Sequence, residues 1–277
     1  MMDERRRRVW AALELGPVWR LRGAGLGPVA APARSEPVRA ERADRAPIVP
    51  PSAARAARVD AVASDRATTG DPLPPELDGR TARIAQLPWP GLVDAVAGCT
   101  ACGLCDSRRS TVFGVGPVPA DWMLVGEAPG EQEDLRGEPF VGPAGRLLDA
   151  MLAAIGVRRE RDAFIANVLK CRPPRNRDPA PEEVSRCEPF LVRQIELLQP
   201  RLIVVLGRFA AQSLLRSDAS IATLRGRVHR YSAAGRELPV VVTYHPAYLL
   251  RSLPDKSKAW ADLRLARRTF DALGASQ

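Results

Sequence analysis

The sequence predicts an α/β fold with a short, mostly parallel central sheet and helices on both of its faces. From about residue 87 onwards, short apolar runs that suit buried strands alternate with longer segments of helical spacing. Strands that alternate with helices pair in parallel, because each connection crosses over the sheet and covers one of its faces. In such sheets the ligand binds beyond the carboxyl ends of the strands, so we expect the functional residues there.

Four strands and four helices make up this alternation. The strand segments are 122–128, 163–169, 201–207 and 238–246. The helical segments are 144–156, 181–200, 208–216 and 258–273. The first helix ends at a glycine, and the second opens with a proline and two glutamates, which are common signals of a helix end and a helix start.

The N-terminal third of the chain has a different composition. Residues 1–22 carry a basic cluster and an apolar stretch, but Glu14 and Pro17 interrupt that stretch, which favours a short amphipathic helix of unknown role over a signal peptide. Residues 23–85 are rich in Ala, Arg and Pro and poor in large apolar side chains. Such a segment buries too little surface to offset the entropy of ordering it, so we expect a disordered linker before a folded domain at 86–277.

The charge and the hydropathy of the chain limit its function. The formal net charge is +9, which is compatible with a nucleic-acid partner. No run of about 18 apolar residues occurs, so no membrane-spanning helix is predicted. We expect a monomeric, cytoplasmic protein.

Five cysteines point to a metal site. Cys99, Cys102 and Cys105 lie close together in CTACGLC, and Cys171 and Cys187 follow later. Two residues between two cysteines let both sulfurs converge on one metal, and the later pair can complete a four-thiolate site. Zinc and a [4Fe–4S] cluster both accept four cysteines, and the spacing neither separates them nor identifies the spare fifth cysteine.

A block rich in glycine and proline, GEAPGEQEDLRGEPFVGPAGRLL at 126–148, joins the first strand to the first helix. Such a loop lets a ligand approach the backbone closely, while its many carboxylates argue against a phosphate site. Phe140 in this loop suits either stacking on a ligand or packing in the core.

Two further blocks follow later strands. Asn167 ends the second strand, where its amide can read a ring that carries amide groups. Arg172 and Arg175 follow among prolines, from which they could contact phosphates. His245 ends the fourth strand, where it can stabilise a developing anion or act as an acid or base.

An apolar tip follows this histidine. Tyr248, Leu249, Leu250 and Arg251 form this tip, and apolar wedges flanked by arginine are used to pry open base steps in DNA. The same residues would also suit a helix or the core.

From about Cys99 to Trp260 the chain resembles the family 4 uracil-DNA glycosylases, the [4Fe–4S] type of bacteria and archaea. The matching motifs are GEAPG..ED..G.PFVG.AG.LLD, N.LKCRPP.NR.P and HPAYLLR, in that order and together with the order of the cysteines. The resemblance implies a three-layer α/β/α sandwich that acts on uracil-containing DNA. It also implies hydrolysis of the N-glycosidic bond, which leaves an abasic site for base excision repair.

The resemblance further implies a cofactor and a base-binding pocket. The [4Fe–4S] cluster would be held by the four residues Cys99, Cys102, Cys171 and Cys187, and Cys105 would be free. Phe140 would stack on a flipped uracil, and Asn167 would hydrogen-bond its Watson–Crick edge. Glu133 would crowd the C5 position and exclude thymine, with the backbone at Ala128 beside the base.

The catalytic roles implied by the resemblance fall on two residues. His245 would face uracil O2 and stabilise the leaving anion, whereas Glu127 would lie beside the sugar and favour its cationic state or position water. Leu249 or Leu250 would fill the gap that the flipped base leaves in the duplex.

Three alternatives remain open on the sequence. A related subgroup traps uracil-DNA covalently through a histidine, but its histidine-containing loop has no counterpart in residues 171–187. A non-catalytic iron–sulfur module that binds DNA and a zinc-containing nucleic-acid binder are the others. A labelled uracil oligonucleotide that stayed bound in a denaturing gel would support the first. DNA binding with an iron–sulfur absorbance but no uracil release would support the second, and colourless protein with stoichiometric zinc the third.

Overall fold

The computed structural model describes residues 75–274, and its centre is a single five-stranded sheet with the order β2-β1-β3-β5-β4. The predicted helix at 1–22 and most of the predicted linker lie outside the described residues. Four strands pair in parallel, and β4 pairs with β5 in the antiparallel direction. The strands are β1 Trp122–Gly126, β2 Ala163–Asn167, β3 Leu202–Leu206, β4 Val228–Ala233 and β5 Arg236–Thr243.

Helices connect and cover these strands. They are α1 Pro75–Ala85, α2 Trp89–Ala97, α3 Glu131–Arg136, α4 Pro143–Ala154, α5 Pro181–Leu198, α6 Arg208–Leu215, α7 Ile221–Leu224, α8 Pro246–Leu249 and α9 Lys256–Gly274. Short 3₁₀ turns occur at Gly103–Cys105, Pro174–Asn176 and Leu253–Asp255.

Alternate residues of the four parallel strands pack into two separate apolar cores, one on each face of the sheet. In β1, Trp122 and Leu124 pack on the face covered by α4 and α9, whereas Met123 and Val125 pack on the face covered by α5 and α6. The predicted three-layer fold, with a short and mostly parallel sheet, is thereby confirmed. Among the described residues, no helix is long and apolar enough to cross a bilayer.

The folded domain begins before residue 86, so the predicted linker over 23–85 was too long. Helix α1 lies within that stretch, and its Ile84 is buried in a third apolar cluster with Leu92 and Phe190. The guanidinium of Arg80 lies 4.8 Å from the centre of the Phe190 ring. Arg80 also donates a hydrogen bond of 2.7 Å to the carbonyl of Arg186, so the helix contacts α5 although the composition of the segment resembles a linker.

Strand β4 was not predicted, because it is an edge strand whose residues alternate between exposed and half-buried positions. It forms a hairpin with β5 through a turn at Ala234 and Gly235, both of which have positive φ angles, 47° and 74°. Two central residues with positive φ are the signature of a tight turn that matches the twist of a hairpin. The short helices α3, α7 and α8 were also not predicted, nor was α2.

The carboxyl ends of the parallel strands lie along one edge of the sheet, as expected. Gly126 at the end of β1 pairs directly with Asn167 at the end of β2. The backbone pairing continues past both strands, since the amides of Val168 and Leu169 donate to the carbonyls of Gly126 and Glu127. This edge is where the predicted functional blocks emerge.

Candidate active site

A cleft of about 410 Å³ opens at the carboxyl ends of the strands. The blocks that follow β1, β2 and β5 all contribute to its walls. The predicted residues that line it are Glu127, Ala128, Glu133, Phe140, Asn167, His245 and Arg251. These residues are up to 124 positions apart in the sequence, and they meet because the ends of parallel strands lie along one edge of the sheet.

Asn167 forms the floor of the cleft and carries an unused hydrogen-bond acceptor. The residue is 2% exposed, and its Oδ1 has no hydrogen-bond partner. A buried acceptor without a partner costs about 1–3 kcal/mol, which is the kind of defect that a bound ligand removes. Gly126 makes room for this amide, because a Cβ atom at that position would overlap Asn167 Oδ1 and lie 2.8 Å from Phe140 Cζ.

Phe140 belongs to the core and to the cleft at once. It is 6% exposed, packs with one of the sheet's apolar cores, and stacks on the His245 ring with the centres 5.4 Å apart. Its backbone has a positive φ of 55°, which is uncommon for a bulky residue. Arg159 holds this conformation by donating to the carbonyls of Pro139 and Phe140.

His245 is held as a neutral imidazole with its proton on Nε2. Its Nδ1 accepts a hydrogen bond of 3.2 Å from the amide of Ala247, so this nitrogen carries no proton. Burial lowers the pKa of His245 to about 4, and the nearby charge of Arg251 acts in the same direction. At neutral pH the ring can therefore donate one hydrogen bond from Nε2 without carrying a charge.

The two glutamates of the cleft differ in their surroundings. Burial raises the pKa of Glu127, and the charge of Asp178 raises it further, while Arg208 partly opposes this effect. Glu133 instead accepts a hydrogen bond of 3.1 Å from the amide of Val141. Glu133 thus ties α3 to the loop that carries Phe140, in addition to lining the cleft.

The apolar tip beside the cleft has one exposed leucine and not two. Leu249 is fully buried in the core under α4, so its predicted contact with DNA is wrong. In the one-turn helix α8 its side chain faces the domain, and the residues on either side of it face outward. Tyr248 and Leu250 are 37% and 38% exposed, and Arg251 is exposed next to them.

The arginines after Asn167 also differ from one another. Arg175 is exposed, has a positive φ of 57°, and makes no ion pair among the described residues. Arg172 donates from Nε to Asn176 Oδ1 at 2.8 Å, which orders the loop. Arg177 lines the cleft but forms an ion pair with Glu183.

Some lining residues were not among the predicted site residues. Pro173, Asn176 and Tyr248 line the cleft as well, and they lie within the same two sequence blocks. Their position inside those blocks is the signal in the sequence, and Tyr248 also belongs to the predicted apolar tip.

Four of the five cysteines line a second, narrow cavity beside the cleft. They are Cys99, Cys102, Cys171 and Cys187. Cys105 does not line this cavity, and its Sγ lies 3.4 Å from Asp106 Oδ1. Within residues 75–274, no three His, Cys, Asp or Glu side chains are arranged to hold a single metal ion.

N–H groups surround the sulfurs of this cavity. Arg108 donates to Cys171 Sγ at 3.3 Å and to the carbonyl of Cys99 at 2.7 Å. The amide of Lys170 donates to Cys187 Sγ at 3.3 Å. Burial raises the pKa of Cys187 to about 12, so this thiol ionises at neutral pH only with strong compensation from a bound cation.

Asp134 connects the loop after the first three cysteines to helix α3, which lines the cleft. This carboxylate is 3% exposed and accepts from the amides of Arg109 and Ser110, at 2.9 and 3.3 Å. Asp134 lies on α3, which also carries Glu133 of the cleft. The loop after the first three cysteines is therefore fixed to one wall of the cleft.

Comparison with known proteins gives consistent matches. The model of the Uracil DNA glycosylase superfamily matches residues 113–264. The type-4 uracil-DNA glycosylase of Archaeoglobus fulgidus is 49% identical over 163 residues, which cover 57% of this chain and 81% of that protein. The type-4 enzyme of Saccharolobus solfataricus is 40% identical over 186 residues, covering 65% and 86%. The type-5 uracil-DNA glycosylase of Pyrobaculum aerophilum is only 31% identical, over 57% and 81%.

The protonation of His245 can be measured directly, because the chain contains only two histidines. We expect the imidazole signals of His245 to titrate with a pKa of about 4 in nuclear magnetic resonance spectra, with His229→Gln to assign them. A pKa below the unfolded value of about 6.5 also means that the free energy of unfolding falls as the pH is lowered from 6.5 towards 4. Titration of His245 near 6.5 in the folded protein would contradict the neutral-imidazole assignment.

Proposed function

The chain belongs to the Uracil DNA glycosylase superfamily, in its type-4 group, and we propose that the cleft at the strand ends is where it releases uracil from DNA. Its activity is hydrolysis of the N-glycosidic bond of uracil in DNA, as part of DNA repair. A base cannot be reached inside the duplex, so it has to be extruded into the pocket.

The unsatisfied Oδ1 of Asn167 is the observation that carries the proposal. In the flipped state Oδ1 would accept from uracil N3–H, and Nδ2 would donate to uracil O4. Cytosine presents the opposite pattern, with an acceptor at N3 and a donor at N4, and so would leave both groups of the amide unpaired. A site built to hydrogen-bond one pattern rejects a base that lacks it, which explains why such a pocket can leave normal cytosine untouched.

Phe140 and Glu133 would fix the plane and the edge of the base. The ring of Phe140 lies next to both Asn167 and His245, so a pyrimidine stacked on it would face both side chains. Glu133, anchored by Val141, would close the C5 side, where thymine carries its methyl group. Ala128 lines the same cleft and would offer its backbone to the base.

His245 would stabilise the leaving group. As the bond to the sugar breaks, negative charge grows on the base. A neutral Nε2–H aimed at O2 can donate a hydrogen bond to this charge, and the ring does not have to be protonated first. A single preorganised donor of this kind is typically worth about 3 kcal/mol in the transition state. Glu127 would lie on the sugar side, where a carboxylate favours positive charge at C1′ or orients the attacking water.

On the DNA side, we propose that Leu250, next to Tyr248, fills the gap in the stack. Arg251, Arg172 and Arg175 would contact the phosphates on both sides of the flipped nucleotide. All three guanidinium groups belong to the loops that border the cleft. We further propose that the protein acts as a monomer in the cytoplasm, where its DNA substrate lies.

We propose that the cysteine cavity holds a [4Fe–4S] cluster through Cys99, Cys102, Cys171 and Cys187. A cluster takes one thiolate on each of four irons, and four cysteines line this one cavity, where N–H groups of Arg108 and Lys170 donate to two of the sulfurs. Bound there, it would supply a cross-link between the chain around residue 100, the end of β2 and α5.

Asn167→Ala should abolish uracil release almost completely, because the base then loses both of its edge contacts. The measurement is single-turnover release from a U:G duplex and from single-stranded DNA, compared with the wild type. Wild-type rates in the variant would remove Asn167 from the pocket.

Gly126→Ala should slow uracil release by about 100-fold, because the new Cβ displaces the amide of Asn167 and the ring of Phe140. Gly79→Ala is the matched control, since nothing lies within 4 Å of a Cβ at that exposed helical position. The control should retain the wild-type rate. Equal rates in both variants would mean that the close packing at the strand ends does not shape the pocket.

Cys171→Ser should lower the iron content and the visible absorbance of the purified protein, whereas Cys105→Ser should keep both near wild type. The wild type should contain about four irons per chain. Colourless protein with one zinc per chain would instead favour the zinc site. Loss of the centre in Cys105→Ser, with retention in Cys171→Ser, would overturn the assignment of the ligands.

A further inference from the structure

One buried charged side chain lies between the cleft and the cysteine cavity and has no role in the proposed contacts with the base. Lys170 is 1% exposed, although lysine is among the residue types that are almost never fully buried without a partner. It stands three residues after Asn167 and directly before Cys171. A long lysine side chain ordinarily extends to reach water, so its retention inside the domain calls for specific partners.

The ammonium group of Lys170 turns back towards the end of β2. Its Nζ donates to the carbonyl of Asn167 at 2.7 Å and to Gln194 Oε1 at 2.6 Å. Gln194 is itself fully buried, and its Nε2 donates to the carbonyl of Phe113 at 2.9 Å. The acceptor is therefore held in place, and the carbonyl of Asn167 is fixed relative to α5.

The backbone of Lys170 contacts the cysteine cavity. Its amide donates to Cys187 Sγ at 3.3 Å, and its carbonyl accepts from Val112 at 2.8 Å. Both acceptors of the ammonium group are neutral oxygens, and Lys170 makes no ion pair with a carboxylate in residues 75–274. Burial lowers the pKa of Lys170 to about 8, and the sulfurs of Cys187 and Cys171, which line the same cavity, oppose this shift.

We propose that Lys170 is a positioning residue for uracil recognition: its ammonium group, balanced by the negative charge of the ligated sulfurs, holds the backbone of Asn167 so that the Asn167 amide faces the base. This inference rests on the proposed function. Lys170 lines the cysteine cavity and not the cleft, and so acts on the base only through Asn167. The same charge acts on the centre that the cysteines bind.

Two consequences distinguish this role from simple filling of the interior. A residue that acts through Asn167 has no further effect once the Asn167 amide is absent. Removal of a buried positive charge beside the cysteine-bound centre stabilises the oxidised state of that centre, and its midpoint potential becomes more negative. Lys170→Met tests both, because methionine has a similar length and no charge.

The experiment is a double-mutant cycle on the iron-loaded full chain, using Lys170→Met, Asn167→Ala and the combination of the two. In single-turnover reactions with a U:G duplex, Lys170→Met should slow uracil release at least tenfold in the wild-type background and less than twofold in the Asn167→Ala background. The midpoint potential of the bound centre should become more negative, while the iron content per chain stays near wild type.

If Lys170→Met does not take up iron, Lys170→Met combined with Gln194→Leu replaces both partners by apolar groups and carries the same test. Equal slowing in both Asn167 backgrounds, or a wild-type rate in Lys170→Met, would overturn the positioning role. An unchanged midpoint potential would overturn the balance between the ammonium group and the sulfurs. If the wild type itself released no uracil, the proposed function would fail, a result distinct from these.

Discussion

The cleft depends on the parallel pairing that sets Gly126 directly beside Asn167 at the ends of β1 and β2. Because position 126 carries no side chain, the amide of Asn167 and the ring of Phe140 can both pack against the backbone there. A methyl group at this point would displace these two side chains, both of which line the cleft. The shape of the pocket therefore depends on the absence of a Cβ at Gly126 as much as on the side chains that line it.

The same pairing also fixes the path of the chain from β2 to the cysteine cavity. The ladder continues for two residues beyond the strands, which carries β2 in a fixed direction towards Lys170 and Cys171. Asp134 makes a second connection, from α3 to the loop after the first cysteines. The cavity is thus joined to the cleft along two routes, so a centre bound there would stiffen both walls without contacting the base.

Hydrophobic periodicity was sufficient to predict the four parallel strands and the long helices, because these elements are buried on one or two faces. It failed where burial does not govern the pattern: β4 is an exposed edge strand, and α1 buries only Ile84 among its described side chains and contacts α5 through the stacking and the hydrogen bond of Arg80. The sequence also could not show which of Leu249 and Leu250 is buried and which is exposed. Adjacent leucines look alike in a sequence, and only the direction in which α8 packs on the domain separates them.

The electrostatics of the cleft favour a donor without charge over a charged one. Arg251 and the burial of the ring both disfavour an imidazolium at position 245, and the amide of Ala247 occupies the nitrogen that would gain the proton. A cationic histidine would attract the anionic base more strongly, but burying its charge would cost desolvation free energy before any substrate binds. A neutral Nε2–H avoids that cost in the free enzyme. In the role we propose for His245, its hydrogen bond would strengthen only as charge appears on the base, so the discrimination between ground state and transition state would come from the substrate's own charge.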